Sequence, residues 1–136
     1  PHLSEKLGLS MIDCLDYRLM ASYIEAIADH SQEIARNVIE FAETSLPKEV
    51  LRTLNQLGEL SYQMHQEAFK ALLSKNLDLV GEVLGREQIS KDIVRELDGS
   101  LSGRSFEVIS YASAVASALT KICDYSVDLA DLVMPR

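Results

Sequence analysis

Three acidic residues recur at intervals of four in the N-terminal part of the chain. If this segment is helical, one turn separates each of Glu25, Asp29 and Glu33 from the next. Like charges at this spacing cost a helix about 0.2–0.5 kcal/mol a pair, and only Arg36 is placed to offset Glu33. Carboxylates with free oxygens are hard ligands that suit Mg²⁺, Ca²⁺, Mn²⁺ or iron. The spacing therefore indicates either a cation site or a solvated acidic face.

A second acidic group lies near the C-terminus and consists of Asp124, Asp128 and Asp131. Lys121 precedes Asp124 by three residues and offsets part of its charge. The same two interpretations apply here, a cation site or a solvated face. Any helix that carries these residues must turn them away from its apolar side.

The two acidic groups belong to an internal repeat. Residues 20–38 (MASYIEAIADHSQEIARNV) and 115–133 (VASALTKICDYSVDLADLV) are similar at a constant offset of 95, with seven of nineteen positions identical. Loose apolar spacing would account for the shared Ala and Ile residues, but not for a shared Asp with a Ser two residues after it. We interpret the similarity as a duplication. Because Thr120 replaces Glu25 in the second copy, we expect that copy to bind a cation more weakly or not at all.

Proline and glycine residues divide the chain into four predicted helices. Pro47 suits the first turn of a helix, Gly99 and Gly103 mark a break, and Pro135 stops the last helix. The helices are expected over 11–43, over 47–74, from 77 to about 98, and over 104–134. Ser10 is the expected N-cap of the first helix, with Asp13 three residues later. Runs with period-two alternation are missing, so no strand is predicted.

Each predicted helix has one apolar face. The expected core positions are Ile24, Ile27, Ile34, Val38 and Phe41 in the first helix, Val50, Leu54, Leu57, Ser61, Met64, Ala68 and Ala71 in the second, and Val80, Val83, Leu84, Ile93, Val94 and Leu97 in the third. Short connections force neighbouring helices to run antiparallel. The sequence therefore predicts a single all-α domain over 1–136, an elongated antiparallel four-helix bundle.

Composition excludes several classes of function. The 136 residues include 13 Lys and Arg against 21 Asp and Glu, for a net charge of −8, which argues against direct nucleic-acid binding. No run approaches the roughly 20 apolar residues of a membrane span, and no signal peptide is apparent. We therefore expect a cytoplasmic protein that does not insert into a membrane.

Catalytic and cofactor motifs do not emerge. A di-iron carboxylate centre needs Glu three residues before His, but Ile27 precedes His30 and Tyr62 precedes His65 at that spacing. We expect Gly81-x-x-x-Gly85 to be a packing notch for a neighbouring helix. The small-residue run 111–118 either packs within the bundle or forms a dimer seam. Cys14 and Cys123 form neither a metal-ligand motif nor an activated thiol. The protein is therefore not expected to be an enzyme.

One motif in each copy of the repeat resembles the PhoU family of phosphate-uptake regulators. The family signature is similar to E-R-I-x-D-H/Y-x-x-N-I-A, and here residues 24–30 read IEAIADH and residues 33–35 read EIA. The second copy reads TKICDY at 120–125 and DLA at 128–130. Among the departures from the signature, Ala26 stands where the family has Arg, and Thr120 stands where it has the motif Glu. Family members have six helices, so the resemblance implies that this chain holds the last helix of repeat one and all of repeat two, as a fragment of a longer protein would.

The resemblance implies a regulator that is not an enzyme and that binds multinuclear iron or zinc clusters. Carried over by position, the metal ligands would be Glu25, Asp29 and Asp124, with Glu33 and Asp128 as secondary candidates. The implied partners are a phosphate-transporter ATPase and a sensor kinase, so the protein would lie at the inner membrane through protein contacts. A helical dimerisation or interaction module without metal is the alternative.

Overall fold

The computed structural model describes residues 11–134, and these form four α-helices with no strand among them. The helices are α1 (Met11–Glu40), α2 (Lys48–Ser74), α3 (Leu77–Leu101) and α4 (Phe106–Asp131). They form an antiparallel bundle, which confirms the predicted all-α class. The first and last helices are each three residues shorter at the C-terminal end than predicted, because residues 41–43 and 132–133 form turns.

Side-chain caps account for the starts of α3 and α4. The Asn76 side chain caps α3 by accepting a hydrogen bond from the Asp78 backbone N–H at 2.9 Å, and Ser105 caps α4 by accepting one from Val108 at 3.2 Å. The predicted end of α3 near Gly99 is wrong, since the helix continues to Leu101 and the chain turns at Gly103, whose φ is +78°. The predicted cap at Ser10 lies outside the described residues.

Helix α4 is central, because α1, α2 and α3 all pack against it. Helices α2, α3 and α4 contact one another, whereas α1 packs mainly against α4. By length and composition alone, α4 is the one helix among the described residues that is apolar enough to cross a membrane. A core helix that packs against three other helices needs a similarly apolar surface, so packing also accounts for the composition of α4.

Aromatic contacts show how the two copies of the repeat pack together. The rings of His30 and Tyr125 stack with centroids 5.8 Å apart, and these residues occupy equivalent positions at the offset of 95. Ile27 and Ile122, a second equivalent pair, lie in the same core cluster. In the turn just after α1, the ring of Phe41 stacks on that of Tyr111 in α4, with centroids 5.0 Å apart. Equivalent residues of antiparallel helices meet in this way when an approximate two-fold axis passes between the helices.

The predicted core is confirmed for α2 and only partly for the other helices. Every predicted seam position of α2 is buried: Val50, Leu54, Leu57, Ser61, Met64, Ala68 and Ala71. In α3, Val80, Val83 and Leu97 are buried, but Leu84 is 36 % exposed because it faces outward. Gly81 and Gly85 are exposed as well, and a Cβ added at either would meet no atom within 4 Å. The expected packing notch is therefore wrong for this part of the chain.

Helix α1 is the least buried of the four helices. Among its described side chains, Ile27 alone is a buried hydrophobic residue. Ile24, Ile34 and Phe41 are half-buried, and Val38, a predicted core residue, is 48 % exposed. The cause is the number of neighbours, since α4 covers only one side of α1.

Candidate acidic faces

Helix α1 carries Glu25 and Asp29 on its solvent side. Both residues are exposed, and both lie on the side of the helix away from the buried Ile27. The side chains of Ala21, Ala28 and Gln32 stand within three or four residues of them and bring no positive charge. Two carboxylates one turn apart therefore project into water without a compensating cation from their own turns of the helix.

Glu33, the third residue of this group, is engaged by other side chains. The His30 imidazole Nδ1 lies 3.0 Å from Glu33 Oε2, and His30 also stacks on Tyr125. The hydrogen bond from His30 lowers the pKa of Glu33, and the positive charges of Lys121 and Arg36 lower it further. Glu33 is therefore already engaged by His30 of its own helix, which leaves less of its charge available to a metal ion.

On α4, Asp124 faces the neighbouring helix α3. Burial raises the pKa of Asp124, and the nearby carboxylate of Glu87 raises it further, whereas Lys91 lowers it. The Lys91 ammonium lies 3.4 Å from Glu87 Oε1. The cation that acts on Asp124 is thus Lys91 of α3, whereas Lys121, which the sequence predicted for this role, acts on Glu33 of α1.

Asp128 completes an acidic group between α3 and α4. Burial raises its pKa, and the negative charges of Asp131, Asp124 and Glu87 add to the effect. Sequence analysis missed Glu87, because nothing in the local pattern of α3 shows that this residue faces α4.

The repeat is also reproduced at the level of single hydrogen bonds. Ser31 Oγ donates to the Ile27 carbonyl at 2.9 Å, and its equivalent Ser126 Oγ donates to the Ile122 carbonyl at 2.8 Å. Thr120, which stands in place of Glu25, donates its hydroxyl to the Ala116 carbonyl at 2.8 Å. The second copy therefore has a neutral hydroxyl, bonded to its own helix, where the first copy has an exposed carboxylate.

The predicted ligands do not converge on one place. Glu25 and Asp29 lie on α1, whereas Asp124 and Asp128 lie beside α3. Within the described residues, no three His, Cys, Asp or Glu side chains are arranged to hold a metal ion. A hydrated hard cation, which keeps several water ligands, fits a pair of carboxylates. A tetrahedral zinc site does not fit, because it needs four protein ligands that are mostly Cys and His.

Three further sites, at Cys123, at the Glu67–Arg86 pair and at His65, have structural roles. Cys123 is buried, and burial raises the pKa of its thiol to about 12, so it is inert as a nucleophile at neutral pH. Glu67 of α2 and Arg86 of α3 form an ion pair that joins the two helices. His65 stacks edge-on against Phe69, and burial lowers the pKa of its imidazole. These groups add no acid–base or nucleophilic set to the acidic faces.

Comparison of the chain with protein-family models, with curated proteins and with solved structures found no match.

Proposed function

We propose that the protein is a PhoU-like regulator of phosphate uptake and phosphate signalling that acts through protein contacts. The observation that carries the proposal is the repeated helix with an exposed acidic face, in which Glu25 and Asp29 stand in the signature motif. These two carboxylates do nothing for the core and oppose each other on the helix. Binding of a cation or of a partner protein would give their spacing a function.

In this proposal Glu25 and Asp29 bind a hydrated divalent cation, and the α4 face binds one more weakly. Asp124 is the ligand candidate there, and Asp128 and Glu33 are secondary. Thr120 and the nearby Lys91 both reduce the negative charge that the α4 face offers to a cation. The domain has no catalytic role of its own, and it works in the cytoplasm, at the inner membrane through its partners.

The test for the cation is calorimetric titration of the chain with Mn²⁺ and with Ca²⁺. The double variant Glu25→Ala/Asp29→Ala should lose the stronger binding event and keep its helix content. Asp78→Ala/Glu82→Ala is the matched control, because it removes two exposed carboxylates at the same spacing from α3. Equal loss of binding in the two double variants would mean that only the net charge matters, and the proposed site would be rejected.

The test for the partner is co-purification with a phosphate-transporter ATPase or a sensor kinase from the source cell. Charge reversal at Asp29 or Asp124 should weaken the association, whereas reversal at Asp78 should not. Turnover of a phosphate ester by the pure domain would contradict the proposal. So would binding to bare anionic vesicles, since a chain of net charge −8 is repelled by anionic lipid.

A dimerisation module without metal is the second candidate, and the exposure of α1 is the observation that favours it. A helix of 30 residues with one buried hydrophobic residue among its described side chains leaves much of its surface to a partner. Sedimentation velocity over a range of concentrations distinguishes the candidates. A dimer that binds neither Mn²⁺ nor Ca²⁺ would support the second.

A further inference from the structure

Helices α2, α3 and α4 share a core to which α1 adds little. One of the two clusters of buried residues consists of side chains from these three helices, among them the fully buried Leu57 and Leu97, and α1 adds to it only the half-buried Ile34. In the other cluster, Ile27 is the one buried residue from the described part of α1. The three later helices therefore keep most of their buried neighbours without α1, and domains of this length can fold alone.

The polar contacts show the same division. An ion pair between Glu67 and Arg86 joins α2 to α3. The side-chain hydrogen bonds of α1 differ, since those made by His30, Ser31 and Asn37 end on residues of α1 itself. Separation of α1 from α4 would therefore leave each of these polar contacts intact.

Apolar and aromatic contacts on one face of α1 hold it to α4. The rings of His30 and Tyr125 stack at 5.8 Å, and the ring of Tyr23 lies 5.9 Å from that of Tyr125. Ile27 shares a core cluster with Ile122. Because these contacts lie along one face of a single helix and involve one neighbouring helix, we expect them to form and break together.

The connection between α1 and α2 can act as a hinge. It consists of residues 41–47, and its later part is attached to the core of the other helices, since Leu46 packs against the cluster that contains Leu57. Ala42, Glu43 and Ser45 are exposed. A change of backbone dihedral angles at 42–45 would release α1 without moving α2.

Helix α1 depends on α4 for its own helical structure. A single helix in water is at best marginally stable, and most of its stability in a protein comes from the packing of one face. Glu25 and Asp29, one turn apart, oppose the helix further. When α1 leaves α4, its backbone hydrogen bonds therefore open as well.

We propose that α1 is a strap that opens from α4 as one unit while α2, α3 and α4 stay folded. Opening uncovers the side of α4 that carries Tyr111, Ile122 and Tyr125, so α1 controls access to this surface. The strap needs neither a cation nor a partner protein, and it is therefore independent of the proposed function.

The first experiment is native-state hydrogen exchange of the full chain, followed by mass spectrometry at a pH where exchange reports the equilibrium of opening. The amides of α1 should share one level of protection and exchange at least about a hundredfold faster than the slowest amides of α2–α4. Low concentrations of urea should accelerate α1 less steeply, because opening of the strap exposes less surface than global unfolding. Protection of α1 equal to that of the slowest amides would overturn the strap. A steady decrease in protection from the middle of α1 to its ends would overturn its opening as a unit.

Two core variants distinguish a strap from a single cooperative unit. Leu97→Ala destabilises the closed and the open forms equally, so it should accelerate exchange in α2–α4 at least about tenfold and leave α1 unchanged. Leu97→Val is the milder form of the same test. Ile27→Ala destabilises only the closed form and should accelerate α1 and α2–α4 by the same factor. Acceleration of α1 by Leu97→Ala to the same extent as α3 would show that α1 opens only by global unfolding, and the proposal would be rejected.

Thiol labelling tests whether the α4 surface is uncovered. In a chain that carries Cys14→Ser and Cys123→Ser, Ile122→Cys places a thiol among the contacts with α1, and Leu97→Cys places one in the core of α2–α4. We expect the thiol at 122 to react with an aromatic disulfide reagent at least about tenfold faster than the thiol at 97, without added urea. Equal rates would mean that this side of α4 is uncovered only by global unfolding, and the control of access by α1 would be rejected.

Discussion

Helices α1 and α4 carry two copies of one sequence pattern in two different surroundings. Ala130 and Ser126 of α4 are fully buried, whereas their equivalents Ala35 and Ser31 of α1 are exposed. The two serines nevertheless make the same hydrogen bond to the carbonyl four residues earlier. Features that depend on a single helix are thus preserved between the copies. Features that depend on neighbouring helices are not, because α4 has three neighbours and α1 has chiefly one.

The carboxylates show the same division. Glu33 and Asp128 occupy equivalent positions, yet the pKa of Glu33 is lowered by its hydrogen bond to His30, and that of Asp128 is raised by burial and by nearby acids. Glu33 lies beside the His30 imidazole, whereas Asp128 lies near the carboxylate of Glu87 in α3. The lowered pKa of Glu33 therefore comes chiefly from a neighbour on its own helix, where the second copy has Tyr125 in place of His30, whereas the raised pKa of Asp128 depends on burial and on a carboxylate of another helix.

The largest effect of this difference is expected at the equivalent pair Leu129 and Ile34. Leu129 is fully buried, so Leu129→Ala should lower the free energy of unfolding by about 2–5 kcal/mol through lost burial and a residual cavity. Ile34 is half-buried, and Ile34→Ala should lower the free energy of unfolding by less than half as much. Urea denaturation of both variants measures the two values. Equal losses would show that α1 is packed as tightly as α4.

A second pair tests the free space around each helix. Ala130→Leu forces a larger side chain into a closed core and should destabilise the protein by about 1–3 kcal/mol. Ala35→Leu adds the same atoms to an exposed position and should change stability by less than about 0.5 kcal/mol. If Ala35→Leu lowers the Tm as much as Ala130→Leu does, the two helices do not differ in the free space around them.

The equivalent carboxylates should give opposite dependences on pH. The raised pKa of Asp128 means that its ionisation opposes folding above the folded-state pKa, and that this penalty vanishes as the pH falls below the ordinary value of 3.8. Asp128→Asn should therefore stabilise the protein at pH 7, by less than about 0.5 kcal/mol, and should have no such benefit at pH 3.

Glu33 should behave in the other direction. Its lowered pKa contributes stability above the ordinary value of 4.5, and that contribution is lost as the pH falls through the folded-state pKa. Glu33→Gln should therefore destabilise the protein at pH 7 and become neutral in acid. Unfolding curves of both variants at pH 7 and pH 3 test the pair, and the same sign for both at pH 7 would be inconsistent with the structure.

The smallest effect is expected on the exposed side of α1. In the absence of added metal, Glu25→Ala/Asp29→Ala should leave stability unchanged or raise it by about 0.2–0.5 kcal/mol, because it removes one repulsive pair. Urea denaturation in the presence of a chelator gives this value. A clear loss of stability would mean that these carboxylates support the fold, and their assignment as a free ligand face would be lost.

Periodicity determined the helices and the seam of α2. Val50, Leu57 and Met64 were predicted as core residues because the spacing of apolar residues along one helix is a local property, and all three are fully buried. The caps at Asn76 and Ser105 are local as well; the predicted start of α3 at residue 77 agrees with the first, whereas the predicted start of α4 at residue 104 is two residues early. The end of α3 was misplaced at Gly99, since a single glycine costs a helix too little to end it.

Tertiary structure alone decided which of the predicted faces meet a neighbour. The sequence by itself determined that α1 has an apolar side and an acidic side, and that α4 repeats the pattern. It did not show that Val38 would remain exposed, that Leu84 would face outward, or that Glu87 would lie beside Asp124 and Asp128. Those outcomes depend on contacts between residues far apart in the chain. The local sequence of a helix does not show how many other helices will pack against it.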